Sequence, residues 1–519
     1  MTVTFPHIDY AAIAPMLILF GVACVGVLVE ALLPRSVRYG AQLVLSLAGL
    51  VAALVAVVAQ SGTRTLTAGQ AIAVDGPALF LQGSIIVLAV MATLMIGERS
   101  LEPGGPFVAQ AAITVGSEPD RQQAVRSPGG TEVYPLALFA VSGMLLFVSA
   151  NDLLTMFVAL EVLSLPLYLL CALARKRRLL SQEAALKYFM LGAYASAFFL
   201  FGVAMIYGFT GGLPAAQRTG SSVGLATIHA ATATSTASPV LLFAGLALLS
   251  IGLLFKATAA PFHVWTPDVY QGAPTPVTAF MAACTKVAAF GALLRVLYVA
   301  FDGARWDFTP VLGAIAVLTM LVGAVLSVTQ TDLKRLLAYS SIANAGYLLV
   351  GVLAGGKSGV SSTMFYLVAY GFSVIAAFAV LTLVRDADGE ATHLSRWAGI
   401  GRRSPAFAAM FTFVLLAFAG IPLTSGFISK FAVFGAAIDG GQTWLVVVGV
   451  ISSMILAFPY LRVVVMMWLS EPGETTPTVS IPGALTAAAL VIGVAATLLL
   501  GVVPAPLLDL SDSAAQFVR

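Results

Sequence analysis

Residues 253–290 read LLFKATAAPFHVWTPDVYQGAPTPVTAFMAACTKVAAF. Lys256 and Lys286 stand in runs made otherwise of apolar and small residues, and Pro261 follows five residues after Lys256. Proline removes a helical N–H and frees a carbonyl, and inside a bilayer such freed groups need protein or water partners. A charge at mid-bilayer costs roughly 2.5–3.5 kcal/mol on insertion scales. An apolar segment with both features reads as an interrupted transmembrane helix beside a polar interior.

Composition extends this reading to the whole chain. Of 519 residues, 60% are hydrophobic and 9% charged, whereas a soluble domain carries about 25% charged residues. The fold class is therefore an all-α integral membrane protein. Fourteen apolar segments are long enough to span, at 11–33, 41–60, 78–97, 133–150, 153–174, 184–210, 238–260, 273–301, 309–328, 334–354, 361–384, 405–436, 443–469 and 481–503. The runs are continuous rather than alternating, which excludes a barrel. The N-terminus lacks a basic region, so the first segment is expected to remain as an anchor. The net charge is +3 with no basic stripe, which argues against nucleic acid. Cys24, Cys171 and Cys284 form no CxxC, and the four histidines supply no ligand pair in the apolar part, so no metal or redox cofactor is expected in this chain.

Charge placement sets the orientation. With the N-terminus outside, the inner loops hold 15 Lys and Arg: Arg35, Arg38, Arg99, Arg121, Arg126, Arg175, Lys176, Arg177, Arg178, Lys334, Arg335, Arg385, Arg396, Arg402 and Arg403. The outer loops and tail hold five, namely Arg64, Arg218, Arg305, Lys357 and Arg519. This bias predicts both termini on the outer side. The loops 98–132 and 211–237 read as solvated connections without an assigned function.

Six basic residues remain inside spans: Lys187, Lys256, Lys286, Arg295, Lys430 and Arg462. Four of the seven lysines are thus intramembrane. Lysine releases its proton when buried far more readily than arginine, so it suits a proton relay. Lys286 lies about 20 Å from either end of its span by helix rise and cannot snorkel. Lys187 follows Glu183 near a span start, where snorkelling is the alternative. Arg295 and Arg462 read as interfacial anchors. Glu161 lies about 14 Å beyond Asp152, with Lys187 one helix later as its expected partner. A second interruption, Gly420 and Pro422 in LAFAGIPLTSGFISKF (416–431), precedes Lys430. Lys256 and Lys430 are 174 residues apart (430 minus 256), close to the spacing of the segments starting at 133 and 309. The agreement predicts two inverted five-helix repeats, 133–307 and 308–470, flanked by 1–132 and 471–519. His263 is a titratable group in the first interruption, and Asp268 reads as a cap or turn residue.

These motifs, with DLKRLLAYSSIANAGY (332–347), resemble the antiporter-like subunits of respiratory complex I, and PDVYQGAPTPV (267–277) is similar to the N-type among them. Lys430, where the M-type carries Glu, points the same way. The resemblance implies a proton-translocating subunit of NADH:quinone oxidoreductase in a bacterial cell membrane. Other membrane subunits would be its partners, and FMN and iron–sulfur clusters would lie in partner subunits. It implies Glu161 and Lys187 as an input pair, Lys256 on the first discontinuous helix, His263 and Lys286 on a central axis, and Lys430 on the exit side. Asn344 stands where many relatives have His and cannot titrate. A subunit of a multi-subunit Na⁺/H⁺ antiporter, which shares the fold, and a non-pumping scaffold are the alternative readings.

Overall fold

The computed structural model describes residues 8–102, 105–108, 117–118, 122, 130–213, 221–386, 389–472 and 477–518. Three helices lead the chain: α1 (Ala14–Leu32), α2 (Arg35–Ala59) and α3 (Gly76–Gly97). A first run follows: α4 (Val133–Ser149), α5 (Leu153–Cys171), α6 (Arg178–Thr210), the short α7 (Leu225–Thr234), the broken pair α8 (Pro239–Lys256) and α9 (Trp265–Gly272), and α10 (Thr275–Ala300). The second run comprises α11 (Arg305–Val328), α12 (Leu333–Ala354), α13 (Gly356–Leu383), the broken pair α14 (Pro405–Ala419) and α15 (Ser425–Asp439), and α16 (Thr443–Leu469). Helix α17 (Ala484–Val502) and the short α18 (Ala505–Ala514) close the chain.

Among the described residues, 12 helices are long and apolar enough to span, and Val133–Ser149 and Pro405–Ala419 are shorter apolar helices. The fourteen expected segments all appear. Segment 238–260 ends early, at Lys256, and segment 405–436 is split across 420–424. Part of the expected loop 211–237 is helical, as α7. The small strand pairs Thr65–Thr67 with Ile72–Val74 and Val384–Asp386 with Gly389–Glu390 lie in loops and leave no trace in the apolar pattern.

Loops of like parity meet on one face or the other. Phe107 bridges Ala174, Asp332 bridges His393, and Arg385 pairs with Glu102 at 2.6 Å. On the opposite face Ile72 bridges Ala150, Asp152 bridges Gly224, and Lys357 pairs with Asp512 at 2.6 Å. The first face, here called basic, carries 13 described Lys and Arg of the inner set; the other carries Arg64, Arg305 and Lys357. Arg121, Arg126, Arg218 and Arg519 lie outside the described residues.

The two runs share local chemistry. Asp152 caps α5 through Leu154 N at 2.9 Å, and Asp332 caps α12 through Arg335 N at 3.1 Å. A carboxylate at a helix N-terminus satisfies free N–H groups and complements the helix dipole. Gly143 lets α4 approach the backbone of Leu163, and Gly323 lets α11 approach Ala343; a Cβ would stand 2.5 and 2.4 Å from those backbone nitrogens. Small residues at such crossings are how lipid-embedded helices pack. Each of these three pairs is 180 residues apart (332 minus 152, 323 minus 143, 343 minus 163). The first run starts on the basic face and the second on the opposite face, the geometry of an inverted repeat. The Lys256–Lys430 spacing is not a marker of the repeat, because Lys256 ends its first half-helix whereas Lys430 lies in its second.

Burial identifies the core. The most apolar stretch of α10 is 100% buried and those of α12 and α13 94%, against 28% for α1. The peripheral helices turn exposed Leu, Val and Phe outward. Arg295 corrects the expectation of an interfacial anchor. It is fully buried, with NH2 at 2.6 Å and NH1 at 3.0 Å from Asp75, and Nε donates to Val148 O at 3.0 Å. The same Asp75 caps α3 and accepts from Val518 N, which ties the chain end to α10. The sequence hides this pair because its members are 220 residues apart. Arg462 lies seven residues before the end of α16 and reaches the basic-face end of α11, donating to Val328 O at 2.9 Å and Gln330 O at 2.5 Å.

Removing one partner of a buried ion pair strands the other, at about 3–5 kcal/mol. Asp75→Leu is therefore expected to lower the thermal midpoint of the purified protein sharply. Asp75→Leu/Arg295→Leu should recover most of that loss, and a double variant as unstable as the single would contradict the pairing.

Candidate functional site

The site is built at the two helix breaks and on α10 between them. Helix α8 ends at Lys256, and Ala257 N still donates to Leu253 O at 2.9 Å. The chain then crosses 257–264 irregularly, and Ala260 N donates to Thr319 Oγ1 of α11 at 3.0 Å, so the first break is held by the second run. The Lys256 ammonium thus lies at a helix C-terminus, where the dipole favours a cation. Its Nζ donates to Tyr188 Oη at 3.2 Å and faces the rings of Tyr188 and Tyr168 at 4.9 and 5.4 Å. Tyr188 in turn stacks on Trp265 at 4.5 Å, and Trp265 Nε1 donates to Phe255 O at 3.1 Å. Aromatic faces stabilise a desolvated cation, and the stack locks them around Lys256.

Lys286 begins the second α-helical stretch of α10, directly after a π-helical turn, Met281–Thr285. Such turns interrupt the regular ladder and are frequent at functional positions. Lys286 is 1% exposed. Its Nζ donates to Ser341 Oγ at 2.7 Å and Ser341 O at 2.5 Å, with the Tyr370 ring 5.2 Å away. The Tyr270 and Tyr370 hydroxyls face the same Ser341 hydroxyl. One turn further on α12, Asn344 Nδ2 donates to Ser340 O at 2.8 Å, and Tyr366 donates to Asn344 Oδ1 at 2.6 Å.

The second break delivers Lys430 differently. Gly420 has φ +86° and its N–H donates to Leu416 O and Ala417 O, so α14 stops in a left-handed glycine cap. The end carbonyls of Phe418 and Ala419 are left open, and Lys430 Nζ donates to both at 3.0 Å and to Ser453 Oγ at 2.8 Å. The ring of Tyr347 lies 5.1 Å away, and its hydroxyl is 2.9 Å from Ser452. A cavity of about 10 Å³ lies between Tyr370 and Lys430, lined by Asn344, Tyr366, Ser373 and Ser429. That is room for about one water, with several polar partners. Lys286 and Lys430 therefore share a polar seam.

Glu161 and Lys187 do not form the expected pair. Lys187 Nζ lies 2.7 Å from Glu183 and 2.8 Å from Asp268, and Asp268 also pairs with Arg335 at 2.7 Å. Side chains lean toward the N-terminus of their helix. Helices α5 and α6 run in opposite directions, so Glu161 and Lys187 lean toward opposite faces. Glu161 is half-buried, and its Oε1 has no hydrogen-bond partner among the described residues. Asp268, expected as a cap or turn, instead bridges α6 and α12. His263 is half-buried between exposed Pro261 and Val264, and its Nδ1 has no hydrogen-bond partner among the described residues. Sequence reasoning passed over the hydroxyls of Tyr188, Ser341, Tyr370 and Ser453. Polar side chains repeated within the spans, as in YSSIANAGY (339–347), are the signal that points to them.

The family model described as NADH:quinone oxidoreductase/Mrp antiporter, TM, matches residues 150–456. A protein of Salinispora arenicola named NADH-quinone oxidoreductase subunit N is 74% identical over 514 residues, covering 99% of both chains. A protein of the same name from Mycobacterium bovis is 53% identical and covered along its whole length. A chain of respiratory complex I from Thermus thermophilus superposes with TM-score 0.75 at 34% identity, over 96% of this chain and 99% of that one. A chain of the Mrp complex from Dietzia superposes with TM-score 0.79 at 24% identity, over 97% of each chain, a likeness of fold alone.

A Cβ on Gly420 would meet positive φ and stand 3.1 Å from Lys430 Cδ. Gly420→Ala is expected to cost about 1–3 kcal/mol in backbone strain and to lower the thermal midpoint of the purified protein. Gly435→Ala, in α15 with nothing within 4 Å of the new Cβ, serves as the control and should leave it unchanged or raised.

Proposed function

From the premise that this chain belongs to the NADH-quinone oxidoreductase subunit N family, we propose that its buried lysines carry protons across the membrane. The chain is a membrane subunit of proton-translocating NADH:quinone oxidoreductase, the enzyme that couples electron transfer from NADH to quinone with proton pumping. The observation that carries the proton reading is the set of three ammonium groups, Lys256, Lys286 and Lys430, each buried and each held by hydroxyl, carbonyl or aromatic groups that suit both protonation states. A tyrosine or serine hydroxyl donates to a neutral amine and accepts from a charged one. A proton can therefore leave and return without orphaning a polar atom.

In this reading Glu161 biases Lys256 through space, Lys286 is the central relay, and a water between Tyr370 and Lys430 joins it to the exit lysine. Asn344 positions that water with Tyr366 and holds no proton itself. Lys187 belongs to a surface triad with Glu183 and Asp268 that sets the charge near Lys256, and His263 serves the edge of the first break. The functional units are residues 133–307 and 308–470, flanked by 1–132 and 471–519. The excess of Lys and Arg on the basic face supports that face as the inner one, with both termini outside a bacterial plasma membrane. Electrons pass through FMN and iron–sulfur clusters in partner subunits, and other antiporter-like subunits are its neighbours. The antiporter alternative rests on a likeness of fold alone, whereas the subunit N relatives cover the full chain.

Lys286→Ala in the assembled enzyme is expected to lower protons pumped per electron by at least a factor of two, measured as vesicle acidification against NADH oxidation. An unchanged ratio in a fully assembled variant removes Lys286 from the path.

A further inference from the structure

We infer that the face opposite the basic loops carries a binding site for one phospholipid, with an acyl chain in a groove between α2, α3, α13 and α18 and the phosphate on Arg64. The groove has a volume of about 660 Å³, and Leu54, Val57, Leu88, Phe372 and Leu510 are among the apolar side chains along it. Its mouth holds Arg64 together with the hydroxyl residues Ser61, Thr63 and Ser513.

Three observations select the occupant. The first is charge. The opposite face has three described basic residues; Arg305 donates to Leu353 O and Ala354 O, and Lys357 pairs with Asp512. Arg64 is exposed and has no partner among the described residues. The strand pairing Thr65–Val74 directly after it fixes its backbone over the groove. An anion is the missing partner, and a phosphodiester suits a guanidinium fork.

The second is depth. From Gly76 to Leu88 the groove follows α3 for 12 steps along the helix (88 minus 76), about 18 Å by helix rise, close to the ~15 Å of one leaflet. Toward the basic face it closes: Tyr39 Oη donates to Gly97 O at 2.7 Å, and a Cβ on Gly97 would stand 3.0 Å from Leu43 and 3.1 Å from Leu485. A spanning helix of another subunit needs the full ~30 Å, whereas an acyl chain needs one leaflet.

The third is the missing side chain at Gly83. A Cβ there would meet only Val57, at 3.7 Å, and otherwise points into the groove. A larger residue at Gly83 would therefore occupy the space of the chain without disturbing the helix contacts. The inference stands apart from the proton path, since none of these residues belongs to it.

The test uses the assembled enzyme incubated with phosphatidylglycerol bearing a photoreactive group at the end of an acyl chain, followed by mapping of labelled peptides. Label is expected within 76–88 and around Phe372. Gly83→Phe should lower it at least tenfold, and Arg64→Gln several-fold. A diacylglycerol probe without phosphate should label the enzyme and Arg64→Gln alike. NADH oxidation by both variants should match the parent, which reports intact assembly. No label at 76–88, equal label in Gly83→Phe, or crosslinks from this stretch to another subunit in place of lipid would overturn the site.

Discussion

In an intact helix in lipid the backbone groups are satisfied within the helix, so a carbonyl there takes a further donor only by sharing. A buried ammonium must nevertheless find acceptors. This constraint organises the molecule. Lys430 is held by the two carbonyls that the glycine cap at Gly420 leaves open. Lys256 lies on the closing turn of α8, where it uses the dipole and an aromatic cage. Lys286 takes the hydroxyl and carbonyl of one serine, across from a π-helical turn. At Lys256, Lys286 and Lys430 the helical ladder is interrupted or a hydroxyl supplies the acceptor.

Such interruptions need rigid surroundings. Helices α10, α12 and α13 form the most buried part of the bundle, and glycine crossings at Gly143 and Gly323 bring helix backbones together around them. The Asp75–Arg295 pair fixes the far end of α10, with Val518 N closing over the same carboxylate. At the near end, Asp268 joins Lys187 of the first run to Arg335 of the second. The two repeats are thus coupled by charge at the basic face and by packing at their centre, and a change in charge at Lys187 would be felt by both.

Much of this was legible in the residues. The number of spans, the two interruptions and the buried lysines follow from apolar run length, from Pro261, Gly420 and Pro422, and from charges placed where lipid forbids them. The partners were not legible. Proximity in sequence points Lys187 to Glu161, but antiparallel helices tilt the two side chains apart. Arg295 reads as an anchor in sequence because its partner lies 220 residues away. The motif points His263 to the axis, yet of the irregular segment 257–264 only the half from Pro261 on, which carries His263, is partly exposed, while 257–260 is buried. The tyrosines that hold the lysines look apolar in a hydropathy profile, and their hydroxyls matter only once the helices are packed. The lipid groove depends on a residue that is absent, the side chain at Gly83.

The central claim is that the buried lysines work by releasing and regaining protons, not by being permanent cations. Lys286→Arg separates the two, since arginine keeps the charge and hydrogen-bonds Ser341 but does not deprotonate. Measured in assembled enzyme as protons pumped per NADH oxidised, the account predicts a loss in Lys286→Arg comparable to that of a neutral substitution. Pumping at the parental ratio in Lys286→Arg would show that a fixed positive charge suffices and would contradict the claim.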